Sequence, residues 1–492
     1  MRKLSVVVLM SAVFMLVATE VFAVDVKING ELKQMFGYSD NAKFSDSGAM
    51  ASNRGDFSFY ANPSTLTGLG YSSANYRNLK GTTDKSASGK DDAGSGMTRY
   101  RQWFTATSDD QKVKAVFAFE IGGIVWGYQG DSLGKAKGMG YSGDAVNIET
   151  RWLYTDFVVP GMGGNARAGL QPVPLSKDFG QFIWAENAAG LTYFKTIAPF
   201  DFGVGWIRGK TGVGKNVGFS AGNFNDDGGY LTFGFGPSKQ SRVALVLAAL
   251  KQETYKTDSG AYEYNNLLQY VGGTGKFAAG PFSADVTAIY EGGSVDLYTT
   301  PTAQELKRTA YLANASVSWK PSANHKITLS YLFASGDGNA ADDKINNYNA
   351  VDVDWTGWGE MFGEMVADEF FLTDSPYWLD KGLSMPTIRY DFQATKNLLL
   401  SGSYSYMQTD KKTQRIGAAT VNATAGPNGK EYGRVIGNEF DFFVNYKIYQ
   451  GLDATFGVGY LLAGDALDAY TNNGAETAEN VLKAGLSIRY TF

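Results

Sequence analysis

Two distant stretches of this chain alternate apolar and polar residues with a period of two, and that pattern limits the fold more than any other feature. Val26, Ile28, Gly30, Leu32, Gln34, Phe36 and Tyr38 share one parity, while Asp25, Lys27, Asn29, Glu31 and Lys33 share the other. Near the far end, Leu482, Ala484, Leu486, Ile488, Tyr490 and Phe492 alternate with Lys483, Gly485, Ser487, Arg489 and Thr491. Successive side chains of a β-strand point to opposite faces, so each stretch reads as a strand with one apolar and one polar face. Soluble sandwiches alternate as well, but they end their strands sooner.

The residues before Val24 read differently. Met1-Arg2-Lys3 is basic, Leu4 to Ala18 is apolar apart from Ser5 and Ser11, and Val21-Phe22-Ala23 places small residues at the −3 and −1 positions of a cleavage site. This is the pattern of a secretory signal peptide over 1–23, leaving 24–492 as the mature chain. Losing Arg2, Lys3 and Glu20 changes the formal charge from −5 to −6. Beyond the leader, the longest clean apolar run is Val243 to Leu250, well short of the roughly 20 residues a membrane helix needs. The mature chain is therefore either a soluble extracytoplasmic protein or a membrane β-barrel.

Composition excludes several chemistries. There is no Cys, which removes disulfide scaffolds, thiol catalysis, Cys-bound metals and lipid attachment at the cleavage site. The single His, His325, lies in Pro321-Ser-Ala-Asn-His-Lys326, which reads as a turn on the short-turn side, away from where barrel hydrolases place a catalytic His. No enzyme activity is expected. Net negative charge argues against nucleic acid as a partner. The 60 Gly and 69 aromatic residues against 12 Pro fit strands and turns better than helices.

The connections then separate the two remaining classes. Short ones fall at Ser108 to Gln111, Pro160 to Asn165, Ala198-Pro199, Gly236 to Lys239, Ala279 to Pro281, Pro321 to His325 and Thr395 to Asn397. Long ones, rich in Gly, Asn, Asp and Ser, fall at 39–97, 127–146, 209–229, 336–384 and 411–436. Tight turns on one side and long loops on the other define an all-β, transmembrane antiparallel β-barrel, with short periplasmic turns and long extracellular loops. The pattern gives about 18 strands, or 16 if the segment after Arg167 is not a full strand; 39–97 has room for a further hairpin.

One hairpin allows an internal check. With Asp109-Asp110 as a two-residue turn, Arg99 faces Glu120 and Thr105 faces Lys114. Tyr100, Phe104 and Ala106 then meet Val113, Ala115, Phe117 and Phe119 on the other face.

The last residues resemble the C-terminal sorting signature of bacterial outer-membrane barrels, an aromatic terminal residue with apolar residues at alternating positions (Leu486, Ile488, Tyr490, Phe492). An unpaired edge of this kind can pair with the barrel assembly machinery before closure. Within the chain, Arg151-Trp-Leu-Tyr-Thr-Asp-Phe-Val-Val-Pro160 and Arg167-Ala-Gly-Leu-Gln-Pro172 resemble the homotrimeric outer-membrane porins of anaerobic sulfate-reducing Gram-negative bacteria. The likeness spans roughly residues 95–200 and both ends, and loop 336–384 departs from it. It implies a homotrimer and a diffusion channel.

The polar strand faces carry Arg99, Arg101, Glu120, Arg151, Arg167, Arg389 and Lys483. A charge facing lipid at midplane costs about 2–4 kcal/mol, so these side chains must face a wet lumen. Arg99–Glu120 can also serve as a structural pair stiffening the wall. The connection Pro172 to Asn187 carries Lys177, Asp178 and Glu186, which could fold inward as a constriction although the loop is short. Loop 336–384 holds eleven acids against Lys344 and Lys381, a net −9, leaving +3 on the rest of the mature chain. Trp358, Met361, Phe362, Met365 and Val366 fall at helical spacing, pointing to a short surface helix, with an inward lid or a trimer contact as alternatives. Oxygen ligands at Asp337, Asp342, Asp343, Asp352 and Asp354 would suit Ca²⁺ or Mg²⁺, bridging to each other or to lipopolysaccharide; no other cofactor is expected.

Two short motifs carry little. Arg208-Gly209-Lys210-Thr211 ends like a phosphate loop, but the required upstream Gly falls on Val204 and no helix follows. Arg54-Gly55-Asp56 matches an adhesion tripeptide by coincidence. The sequence thus reads as a porin in the outer membrane, passing small hydrophilic solutes and ions with mild anion preference. The alternatives are a substrate-specific channel, with Trp103 as part of an aromatic slide for sugars, and more remotely a barrel enzyme or surface adhesin.

Overall fold

The computed structural model describes residues 24–40, 93–126, 148–173, 175, 178–179, 182–184, 187–211, 225–238, 240–256, 262–298, 303–338, 343–351, 381–413, 431–468 and 477–492. The expected leader 1–23, Arg54-Gly55-Asp56, any hairpin within 41–92 and the helical spacing from Trp358 to Val366 lie outside them.

The first strands are β1 (Val24–Asp40), β2 (Ala93–Ser108), β3 (Val113–Val125), β4 (Ile148–Val158), β5 (Asn165–Pro172) and β6 (Asn187–Ile197). Then come β7 (Phe200–Thr211), β8 (Asn225–Ser238), β9 (Ser241–Lys256), β10 (Tyr262–Ala279), β11 (Phe282–Tyr298), β12 (Ala303–Ser322) and β13 (His325–Ala334). The two-residue β14 (Lys344–Ile345) precedes β15 (Leu383–Thr395), β16 (Leu398–Gln408), β17 (Val435–Tyr449), β18 (Leu452–Ala463) and β19 (Val481–Thr491). One helical turn, α1 (Asp465–Asp468), follows β18.

Eighteen of these strands pair antiparallel with their neighbours, and β1 pairs with both β2 and β19, so the sheet closes on itself. Closure leaves no open sheet edge, as a strand-built wall in lipid requires. The segment after Arg167 is a full member of the wall, which decides for 18 strands over 16. β14 is the exception: it pairs parallel to β12 at Lys307 and Arg308, beyond the point where β13 stops opposite Leu312.

Alternation assigns the two faces. Val243, Leu245 and Leu247 on β9, Phe202, Val204 and Trp206 on β7, and Leu231 and Phe233 on β8 are all exposed. Exposed apolar side chains recur at alternating positions around the wall, forming the lipid-facing band of a transmembrane barrel. Ring pairs gather at the short-turn end, including Phe282–Trp319, Phe200–Phe235 and Tyr490–Phe492. His325 stacks on Phe392 at 5.0 Å and shares a 2.6 Å hydrogen bond with the Tyr390 hydroxyl. It is a girdle and turn residue, consistent with its sequence setting.

The β2–β3 register differs from the sequence expectation. Arg101, not Arg99, lies opposite Glu120, and Lys114 faces Thr107 rather than Thr105. The turn holds four residues instead of two: Gln111 adopts φ 56°, its N–H donates to the Ser108 carbonyl, and Lys112 N–H donates to Asp110 Oδ1. That Asp110 carboxylate also accepts from the Ser108 hydroxyl and is held at about 2, mainly by that bond. The slip is two residues, one full period, so the division into lipid and lumen faces survives.

Candidate functional site in the barrel lumen

On the inward faces of β1 to β5, basic side chains are set among carboxylates. Glu120 on β3 accepts from Arg101 Nε at 2.6 Å and, on the same oxygen, from Arg151 Nη1. Arg151 reaches it because β4 bulges beside Ala118–Phe119, leaving Arg151 out of the ladder. Arg99 sits in a second irregularity, between Thr98 and Tyr100, and pairs with Glu31 at 3.5 Å. Its stem crosses Gly122, where a Cβ would stand 2.6 Å from Arg99 Cγ; only glycine leaves room. Lower on the wall, Arg167 donates to Asp156 at 2.9 Å and lies 4.4 Å over the Tyr154 ring.

Two indoles stand beside these cations. Trp103 and Trp152 lie with centroids 6.2 Å apart, and Trp152 Nε1 donates to Asn187 Oδ1 at 2.6 Å. Trp103 Nε1 is buried without a hydrogen-bond partner among the described residues, and so is Arg151 Nε. Both are donors on the lumen side of the wall, where an acceptor from a passing solute or water would satisfy them.

Further around, Arg389 donates to Asp391 at 2.8 Å, and Lys483 is buried on the inward face of β19, near Asp441 and Glu439 of β17. The sequence places one acid, Glu120, among the charges of the wall. The structure adds Glu31, Asp156, Asp391, Glu439 and Asp441, so most wall cations are locally balanced.

The opposite arc is dry. Its inward residues include Ile207, Ala244, Val246, Leu250, Leu268, Ile289 and Leu312, which share one buried apolar cluster with Val173, Leu175, Phe179, Phe182, Ile183 and Trp184 of the β5–β6 connection. This connection therefore folds into the lumen. Its shortness is no obstacle, because β5 has only eight residues and the loop leaves the wall already inside the barrel. Asp178, expected as a pore-lining charge, anchors the loop. Arg242 of β9 clamps it at 2.8 Å and holds Asp201 of β7 on its other side. Lys177 and Glu186 lie outside the described residues.

A second segment folds in behind the first. Residues 346–351, from the loop read as a surface helix or inward lid, cross the inward faces of β10 to β12 and meet the first loop. Tyr348 donates its hydroxyl to the Phe182 carbonyl at 2.6 Å, and Val351 N–H donates to the Ile183 carbonyl at 2.7 Å. Of the acids considered for a cation, Asp342, Asp352 and Asp354 lie outside the described residues; Asp337 is buried and Asp343 exposed. Among the described residues no group of three or more acids or His is placed to hold a metal. Arg208 pairs with Asp227 across β7 and β8, at a ladder irregularity.

The inward loops had a signal in the sequence. Val243 to Leu250 breaks the alternation because both of its faces are dry, one against lipid and one under the loop.

A closed 18-strand wall, a lipid-facing apolar band and an inward-folded constriction define an outer-membrane β-barrel of the channel type, and the protein belongs in that membrane. A family model described as alginate export matches residues 248–481. Among solved structures, Pseudomonas aeruginosa OccK8 (OprE) shares 11% identity over 95% of this chain and 98% of its own, with a TM-score of 0.50. Pseudomonas aeruginosa OpdQ gives 10% identity, 95% and 98% coverage and a TM-score of 0.48. The outer membrane channel DcaP of Acinetobacter baumannii gives 11%, 95% and 97%, and 0.40. The likeness to OccK8 is one of fold. No curated protein matches the sequence.

Proposed function

We propose that the protein is a passive channel for small hydrophilic solutes, with a weak preference for anions. The reading rests chiefly on the lumen itself: a polar, charge-lined arc from β15 round to β5 faces a dry arc filled by two inward segments. Water and solutes would pass along the charged side. The alginate-export match over 248–481 and the fold likeness to OccK8 support a channel. Arg101 and Arg151 share one Glu120 oxygen, which sets two cations beside the path, with Glu149 opposite Glu120 as a second acid. Unit charges about 4 Å apart in water interact by about 1 kcal/mol, enough for a several-fold local bias. The neighbouring acids keep the preference small. Planar-bilayer recording with a salt gradient and a graded series of solutes tests the reading; cation preference in the unmodified channel counts against the charge assignment.

A substrate-specific channel is the second reading, and the Trp103–Trp152 pair favours it. Two indoles with an unbonded N–H beside Arg151 would hold the ring of a sugar or similar solute. Saturable, competable flux of one solute class would support this reading over simple diffusion. The resemblance across 151–172 supports a homotrimer. Native mass measurement in mild detergent would show three copies; monomer alone counts against it.

A further inference from the structure

Most ion pairs on the charged arc keep some contact with the lumen: the Arg101, Arg151 and Glu120 side chains are 14–25% exposed. One pair elsewhere does not. Glu291 of β11 and Arg308 of β12 meet at 3.0 Å with side-chain exposures of 0% and 1%. Both point inward, so water would reach them if nothing lay over them. What covers them is the chain from Lys344 to Val351.

The coverage is specific. Asn349 donates its backbone N–H to the second Glu291 oxygen at 2.6 Å. Tyr270 of β10 donates its hydroxyl to the Asn349 carbonyl at 2.6 Å. Arg308 Nε donates to Asn266 Oδ1 at 3.0 Å, completing a network with no exposed member at its centre. Ile345, Tyr348 and Ala350 of the same segment are buried. The far end bonds to the first inward loop through Tyr348 and Val351.

We propose that Glu291 and Arg308 are positioning residues that set the size limit of the channel, by holding segment 346–351 across the lumen as a second constriction. The inference rests on the reading of the barrel as a solute channel. Its physical basis is a balance between two states. With the segment in place, the charges lose water but gain each other, the Asn349 N–H and the Asn266 amide oxygen. With the segment lifted, both face the wet lumen and are solvated. An ion pair can tolerate either condition, whereas one buried charge without its partner cannot. Removing one partner therefore favours the lifted state and widens the path. The first loop is held separately, by Asp178 and Arg242, so it stays in place.

The test uses the full barrel in liposomes and a graded series of uncharged sugars, read as swelling rates. Glu291→Gln is expected to raise the rates of the largest sugars several-fold and those of the smallest little. Tyr348→Phe, which removes only the bond to Phe182, is expected to give a smaller shift in the same direction and guards against a poorly folded first variant. The chain has no Cys, so Ile183→Cys with Val351→Cys can form a single disulfide across their backbone hydrogen bond. Oxidation of that pair in the Glu291→Gln background should restore the original size limit, and reduction should release it. An unchanged size limit in both variants overturns the proposal. So does widening that the disulfide fails to reverse, since that would mean wall damage. A wild-type barrel that passes no sugar at all would overturn the channel reading as well.

Discussion

The phenyl ring of Phe492 occupies the space where a Cβ on Gly30 would stand, and the two residues exchange backbone hydrogen bonds of 3.0 and 2.9 Å. The contact lies at the seam where β19 closes on β1. Phe492 also stacks on Tyr490 at 5.6 Å and faces Tyr100 at 6.5 Å, so one ring ties β19 to β1 and β2 on the lipid side.

Closure should therefore depend on both partners. Phe492→Ala removes the ring, and Gly30→Val displaces it. Each is expected to reduce the heat-modifiable, membrane-inserted fraction and raise protease-sensitive chain. Normal gel mobility and insertion in both variants would show that the seam closes without this contact.

Selectivity should respond in opposite directions to two changes at one site. Replacing Arg101 and Arg151 by Gln should move the reversal potential toward cations, and Glu120→Gln should move it toward anions. The bias should fade as salt rises, because the screening length falls from about 8 Å at physiological salt to about 3 Å at 1 M. The same sign of shift in both variants would mean that Glu120 and the arginines do not set the local field.

The first inward loop should loosen without its anchor. Asp178→Asn leaves Arg242 with Asp201 alone and is expected to raise single-channel conductance and current noise. Breaking a half-buried pair of this kind costs less than the roughly 3–5 kcal/mol of a fully buried one, so the barrel should remain folded. Unchanged conductance would show that the apolar packing of Phe179, Phe182 and Ile183 suffices.

The two faces should tolerate charge very differently. Leu245→Arg, on the lipid face, should destabilise the barrel by about 2–4 kcal/mol if it lies near midplane. Ser403→Lys, on the lumen face beside Asp441, should cost much less. Reversible urea unfolding in lipid vesicles measures both, and equal losses would contradict the assigned faces.

By itself the sequence determined the barrel, its approximate strand number and the division of each strand into lipid and lumen faces. Those properties follow from a period of two and from turn residues, both local, and lipid punishes any error in them. That is why Arg99, Arg101, Arg151, Arg167, Arg389 and Lys483 all lie on the lumen side. Partners were another matter. The hairpin register slipped by one full period because Gln111 adopts a left-handed conformation that pattern alone does not reveal, and Arg99 found Glu31 on a different strand. Only the tertiary structure decided what fills the lumen. Asp178 meets Arg242 across 64 residues, and Tyr348 meets Phe182 across 166. No local periodicity encodes such contacts. They arise where the closed wall brings two apolar segments against one dry arc, and burial there outweighs the cost of folding polar backbone inward.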